Sequence, residues 1–156
     1  MHITFVCTGN TCRSPMAEVI ARAMIDENGM TGVTVGSAGT AAWPGAPASD
    51  GACRIVAAAG LDLESHGSAL LTVEVLASST LVLCMESRHL ARARDMEAAE
   101  SSRPKSHLLS EMAGGSGEVA DPFGGPDQAY LGTFDELHQL VKAVLARVEA
   151  EDGVPP

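Results

Sequence analysis

The sequence predicts an α/β fold: one three-layer domain, a parallel sheet with helices on both faces. Three observations carry this reading. Four short apolar segments alternate along the chain with stretches of helical periodicity. One of them, Leu81-Val82-Leu83-Cys84-Met85, is apolar at every position, as a strand buried on both faces requires. The 156 residues suffice for one domain whose core needs no disulfide staples.

Each element has its own signal. His2 to Cys7 is a strand that runs directly into a polar loop. Met16, Val19, Ile20, Ala23 and Met24 recur at helical spacing behind that loop. Pro15 fits the first turn of this helix, where a missing N–H costs nothing. Val33 to Ala38 is a second strand, Gly39 to Pro47 a loop, and Ala48 to Ala59 a helix stopped by Gly60. After the apolar strand come a helix over Ser87 to Glu97 and a short strand over Ser106 to Leu109. Gly114 to Thr133 is rich in Gly, Pro and Asp and reads as a loop, and a loop this long is usually functional. Phe134, Leu137, Val141, Val144, Leu145 and Val148 form the apolar stripe of a last helix, and Gly153 to Pro156 a frayed tail beyond a domain of residues 1–152.

Composition removes several function classes. The formal net charge is -10, which argues against nucleic acid and against an anionic membrane surface as partners. It does not argue against an anionic substrate, because a small loop of donors is positive inside an acidic protein. The apolar start of the chain is too short for a signal peptide and lacks a basic flank. No window reaches the length of a membrane-spanning helix. The expected location is the cytoplasm. There the four cysteines are more readily catalytic, metal-binding or buried than bridged. His2, His66, His89, His107 and His138 show no metal-ligand spacing, so no metal is expected and surface or packing roles are assigned to all five.

The chemistry concentrates in Cys7-Thr8-Gly9-Asn10-Thr11-Cys12-Arg13-Ser14-Pro15. A loop between a strand and a helix N-terminus is an anion site, made by free N–H groups and the positive helix end. Gly9 and Asn10 tolerate the backbone angles that turn successive N–H groups inward, so Thr8 to Ser14 form a candidate phosphate-binding loop. A thiol set in such a loop beside an arginine ionises readily, which makes Cys7 a candidate nucleophile. Arg13 offers a planar fork that binds two oxygens of a tetrahedral anion. The Ser14 hydroxyl is placed to donate to the thiolate and make it a better leaving group. Cys12 lies close enough in the chain to pair with Cys7 under oxidation, which would protect the nucleophile from irreversible damage.

Cys7 to Glu18, with the strand before them, closely resemble the low-molecular-weight protein tyrosine phosphatases. Ser37-Ala38-Gly39-Thr40, Trp43-Pro44-Gly45 and Asp121-Pro122-Phe123 follow in that family's order and spacing, so the resemblance spans nearly the whole chain. It implies a sheet of four parallel strands and a cysteinyl-phosphate mechanism without metal or cofactor. The expected substrate class is a phosphorylated protein or peptide, with inorganic phosphate as product, and a monomer is expected. Asp-Pro pairs are common turn starters. The resemblance makes Asp121 the general acid, which protonates the leaving group and then activates water. Trp43 and Phe123, core candidates as bare sequence, are placed by the resemblance at the mouth of the pocket, while Tyr130 stays open between the two roles.

Family members acting on phosphotyrosine commonly carry an aliphatic residue where this chain has Thr11, and often a second aromatic where it has Gly124. Thr11 with Asp-Pro-Phe-Gly-Gly looks like the branch that removes phosphate from arginine. Phosphoarginine is therefore the expected substrate and phosphotyrosine the alternative. The Thr11 hydroxyl either bonds a polar guanidinium or is simply a small loop residue. Two further readings remain. Arsenate reductases of this kind pass a disulfide along further cysteines, but Cys53 and Cys84 read as core and no cysteine follows Cys84. A non-catalytic phosphate-binding adaptor would have lost one of Cys7, Arg13 or Asp121, and all three are present.

Overall fold

The computed structural model describes residues 1–98 and 104–152. The tail expected at 153–156 lies outside them. Four strands, β1 (His2–Cys7), β2 (Thr34–Gly39), β3 (Leu81–Cys84) and β4 (Ser106–Leu108), form one sheet in the order β2-β1-β3-β4. Every neighbouring pair is parallel, with Cys7 beside Gly39 and Val6 beside Cys84. Helices α1 (Arg13–Glu27), α2 (Asp50–Ala58), α3 (Val73–Ser78), α4 (Ser87–Ala98), α5 (Leu109–Met112) and α6 (Asp127–Asp152) complete the described chain.

Alternation along the strands sorts the core into two layers. Ile3, Phe5, Leu81 and Leu83 share one apolar cluster with Met16 and Ile20 of α1, Val56 of α2 and Leu137, Val141 and Val144 of α6. Val6, Ala38, Val82 and Cys84 share the other with Leu76 of α3 and Ala93 of α4. The predicted parallel sheet with helices on both faces is thus the observed one. From β1 the chain crosses to β2 on one side, then to β3 on the other. The loops after β1 and β3 therefore diverge and leave a crevice at the carboxyl ends of these two strands.

Three expectations need correction. The last helix begins at Asp127 rather than Phe134, so the loop before it is shorter than the Gly/Pro content suggests. Tyr130 and Thr133 are buried on the added turn and extend the apolar stripe backwards. Helices α3 and α5 were not anticipated, because six and four residues are too few for periodicity to register. Helix α2 starts at Asp50, since the Ser49 side chain caps it by accepting from the Ala52 N–H.

Candidate active site

β1 ends on Cys7 and α1 begins at Arg13, so five residues make the turn between sheet and helix. The first N–H groups of a helix have no intrahelical partner, and no side chain caps them in α1. Asn10 takes the left-handed region, with φ 55°. Its surroundings over-determine that conformation. The side chain donates to Ser14 Oγ at 2.8 Å and Ser37 Oγ at 2.9 Å, and accepts from the Ala69 N–H at 2.8 Å. Its carbonyl bonds His66 Nε2 at 2.7 Å. Gly39 is required beside the turn, because a Cβ there would lie 2.4 Å from the Thr8 carbonyl oxygen.

Ser14 Oγ lies 2.9 Å from Cys7 Sγ and 3.4 Å from the Ala38 carbonyl. It already accepts the Asn10 amide, so its own proton goes to the nearer acceptor, the sulfur. Arg13 is 1 % exposed. One terminal nitrogen donates to Glu86 and, at 2.9 Å, to the Val119 carbonyl; the other stands 3.3 Å from Asp121 Oδ2. Its Nε is buried with no acceptor among the described residues. A buried N–H of a cation is costly without a partner, so this donor is free to take an acceptor from a ligand. Burial alone would raise the Glu86 pKa, but hydrogen bonds from Arg88 and Arg13 outweigh it and hold the carboxyl at about 2. Asp121 is more open, its side chain 41 % exposed, and accepts the Phe123 N–H at 3.2 Å.

Cys7, Thr8, Gly9, Thr11, Cys12, Arg13, Asp121 and Phe123 line a cavity of about 210 Å³. Of the residues singled out from sequence, Asn10 and Ser14 are not in its wall; their side chains sit behind the loop. Trp43 is not in the wall either, and its ring is 82 % exposed. Its loop flanks the turn, where the Ala41 N–H bonds the Thr8 carbonyl and the Ser49 N–H bonds the Thr11 carbonyl. Tyr130 is buried, its hydroxyl 3.8 Å from Cys12 Sγ, which also contacts Ser49 Oγ at 3.1 Å. Its ring lies over Gly51, so it packs behind the loop and not at the mouth. Cys84 is fully buried, and burial followed by the Glu97 charge pushes its pKa up to about 12. Cys53 is only half-buried, against the expectation of a core residue.

Sequence reasoning missed three residues. Glu86 follows β3, whose end faces the crevice; that position was the available signal. The sequence assigns His66 and His89 surface or packing roles, yet both bond the turn. His89 is 1 % exposed and its Nε2 lies 2.8 Å from Thr8 Oγ1. No spacing in the sequence marks either, because both partners lie more than fifty residues away.

Comparison with known proteins identifies the family. Residues 2–153 match the family described as low molecular weight phosphotyrosine protein phosphatase. A protein-arginine-phosphatase of Geobacillus stearothermophilus is 38% identical over 96% of this chain and 97% of its own length. A low-molecular-weight protein-tyrosine-phosphatase of Staphylococcus haemolyticus is 33% identical over 90% and 95%. Among solved structures, a YwlE arginine phosphatase with a cysteine-to-serine exchange and a phosphorylated active-site serine superimposes with a TM-score of 0.89. It is 37% identical, and the match covers 96% of each chain.

Proposed function

We propose, for a chain that belongs to the low-molecular-weight phosphotyrosine protein phosphatase family, that Cys7, Arg13 and Asp121 carry out a two-step phosphatase reaction with phosphoarginine as preferred substrate. The family makes the chain a phosphoprotein hydrolase that uses a cysteine. The assignment of roles rests above all on the buried Arg13 guanidinium, which has an unpartnered Nε among the described residues and lines one cavity together with Cys7 and Asp121.

In the first step the Cys7 thiolate attacks phosphorus in line. The S–P bond forms, the bond to the leaving nitrogen breaks, and Asp121 delivers its proton to that nitrogen. Arg13 and the N–H groups of Thr8 to Ser14 hold the equatorial oxygens, so catalysis is mainly electrostatic positioning. In the second step Asp121 takes a proton from water, the water oxygen attacks phosphorus, and the S–P bond breaks. Ser14, 2.9 Å from the sulfur, stabilises the departing thiolate. The serine phosphate held by the superimposed relative in place of a cysteine fits the cysteinyl phosphate.

Thr11 supports phosphoarginine. It lines the cavity, and among the described residues its hydroxyl has only a 3.8 Å contact to Cys12 Sγ, so it is open to a polar guanidinium. Phe123, 69 % exposed, lines the same cavity. Trp43 offers an apolar face to the peptide around the phosphorylated residue. No helix among the described residues is long and apolar enough to cross a membrane, and the four cysteines are unbridged. We place the enzyme in the cytoplasm, as a monomer without cofactor. The test is turnover of matched phosphoarginine and phosphotyrosine peptides by wild type, Thr11→Ile and Cys7→Ser. Preference for phosphoarginine that shifts toward phosphotyrosine in Thr11→Ile is the expected result. An unchanged preference removes the role of Thr11, and turnover by Cys7→Ser removes the mechanism.

The relatives named as tyrosine phosphatases, together with the exposed aromatic rings of Trp43 and Phe123, favour phosphotyrosine as a second substrate.

A further inference from the structure

His89 is a buried imidazole that the two-step reaction does not use. It sits in the first turn of α4, 1 % exposed, and joins two segments at the crevice. Its Nδ1 lies 3.2 Å from the Glu86 backbone nitrogen and its Nε2 2.8 Å from Thr8 Oγ1.

These two contacts fix where every proton lies. A backbone N–H can only donate, so Nδ1 presents its lone pair to Glu86. The ring is then neutral, and its single proton is on Nε2. Burial, followed by the Arg13 charge, lowers its pKa to about 4, which agrees with a neutral ring. Nε2–H accordingly donates to Thr8 Oγ1, and Thr8 spends a lone pair there rather than its proton. The Thr8 hydroxyl proton has no acceptor among the described residues, and Thr8 lines the cavity.

We propose that His89 is a positioning residue that holds the Thr8 hydroxyl as a hydrogen-bond donor to a phosphoryl oxygen in the cavity. The loop uses the Thr8 backbone N–H; this contact gives its side chain a part in binding as well. The proposal rests on the phosphatase reading of the site. A hydroxyl that accepts from an N–H is a stronger donor through its own proton. The same imidazole anchors the Glu86 backbone, and Glu86 grips Arg13, so one ring sets both a neutral and a charged donor.

The two ring nitrogens can be replaced separately. Gln at position 89 keeps a donor near the Nε2 position and loses the acceptor for Glu86. Asn keeps a group near Nδ1 and loses the reach to Thr8. His89→Asn and Thr8→Val are expected to lower kcat/KM and weaken inhibition by inorganic phosphate by about 10- to 100-fold, the range for a hydrogen bond to a charged group. The double variant is expected to lose little more than either one. His89→Gln and Thr8→Ser are expected to recover most of that loss at melting temperatures close to those of His89→Asn and Thr8→Val. Nitrogen-15 spectra of the ring are expected to show the Nε2–H form near neutral pH. An Nδ1–H ring, additive losses, or equal losses in the Gln and Asn variants would overturn the proposal. If wild type hydrolyses neither peptide, the phosphatase reading fails by itself. Phosphate affinity measured by calorimetry and the ring spectrum then decide the role of His89.

Discussion

Replacing Glu86 with Gln tests what holds the Arg13 clamp. Glu86 is the carboxylate that meets a guanidinium 1 % exposed, and its own side chain is 17 % exposed. Breaking a buried ion pair from one side costs ~3–5 kcal/mol when the remaining charge is left alone. Arg13 is not left alone, because Asp121 stays 3.3 Å away and the Val119 carbonyl 2.9 Å away. The loss therefore belongs near that of one hydrogen bond to a charged group, about 2 kcal/mol. For a chain of this length ~1 kcal/mol moves Tm by about 2–4 °C, so Glu86→Gln should melt about 4–8 °C lower near neutral pH. Arg88→Ala is the control. Arg88 also pairs with Glu86 but is 60 % exposed, and an exposed pair carries ~0–1 kcal/mol. Saturating phosphate should narrow the gap between wild type and Glu86→Gln, since a bound anion returns negative charge to Arg13. Scanning calorimetry with and without phosphate reads all three. A Tm for Glu86→Gln within about 1 °C of wild type, or an equal drop in Arg88→Ala, would refute the reasoning.

Acid should weaken the fold in two stages. His89 is lowered from its ordinary 6.5 to about 4 and Glu86 from 4.5 to about 2, so in both windows the unfolded chain binds more protons. Tm should hold above pH 6.5, fall as pH drops toward 4, and fall further toward 2, with the first stage absent in His89→Gln; a wild-type Tm that is flat across the first window counts against the neutral buried ring. At Gly51 a Cβ would lie 2.5 Å from the Tyr130 ring. Overpacking of that kind costs ~1–3 kcal/mol against the ~1 kcal/mol that Ala gains over Gly in a helix. Gly51→Ala should therefore lower the urea midpoint, and a raised midpoint would show that the ring yields freely. Peroxide should oxidise Cys7 to the sulfenic acid, which condenses with the Cys12 thiol to give a disulfide and water. Mass spectrometry of digests should find that bridge with Cys84 unmodified; sulfonic acid on Cys7 beside a free Cys12 would rule the protection out.

The sheet was legible because its signals are local: alternation of elements, an apolar run, a helix opening on a proline. The turn after β1 was legible for the same reason, since nucleophile, clamp and the Asn10 hinge lie within seven consecutive residues. What escaped was whatever depends on distant segments meeting. Glu86, His66 and His89 act through side chains that reach across the crevice, and a lone histidine or glutamate carries no spacing to mark that. The start of α6 escaped for a different reason. Gly132 and the Pro- and Gly-rich run before it imitate a loop, while burial of Tyr130 against Gly51 makes the extra turn worthwhile.

The turn after β1 owes its shape to partners at positions 37, 66, 69 and 89, up to 81 residues away in sequence. A left-handed asparagine cannot hold such a shape by itself. During refolding, therefore, the strand and first helix can assemble early through near-neighbour contacts, but the anion cradle takes form only when the segments around His66 and His89 have docked. Recovery of phosphate binding should then trail recovery of helical signal, so that catalytic competence marks the last tertiary contacts to close.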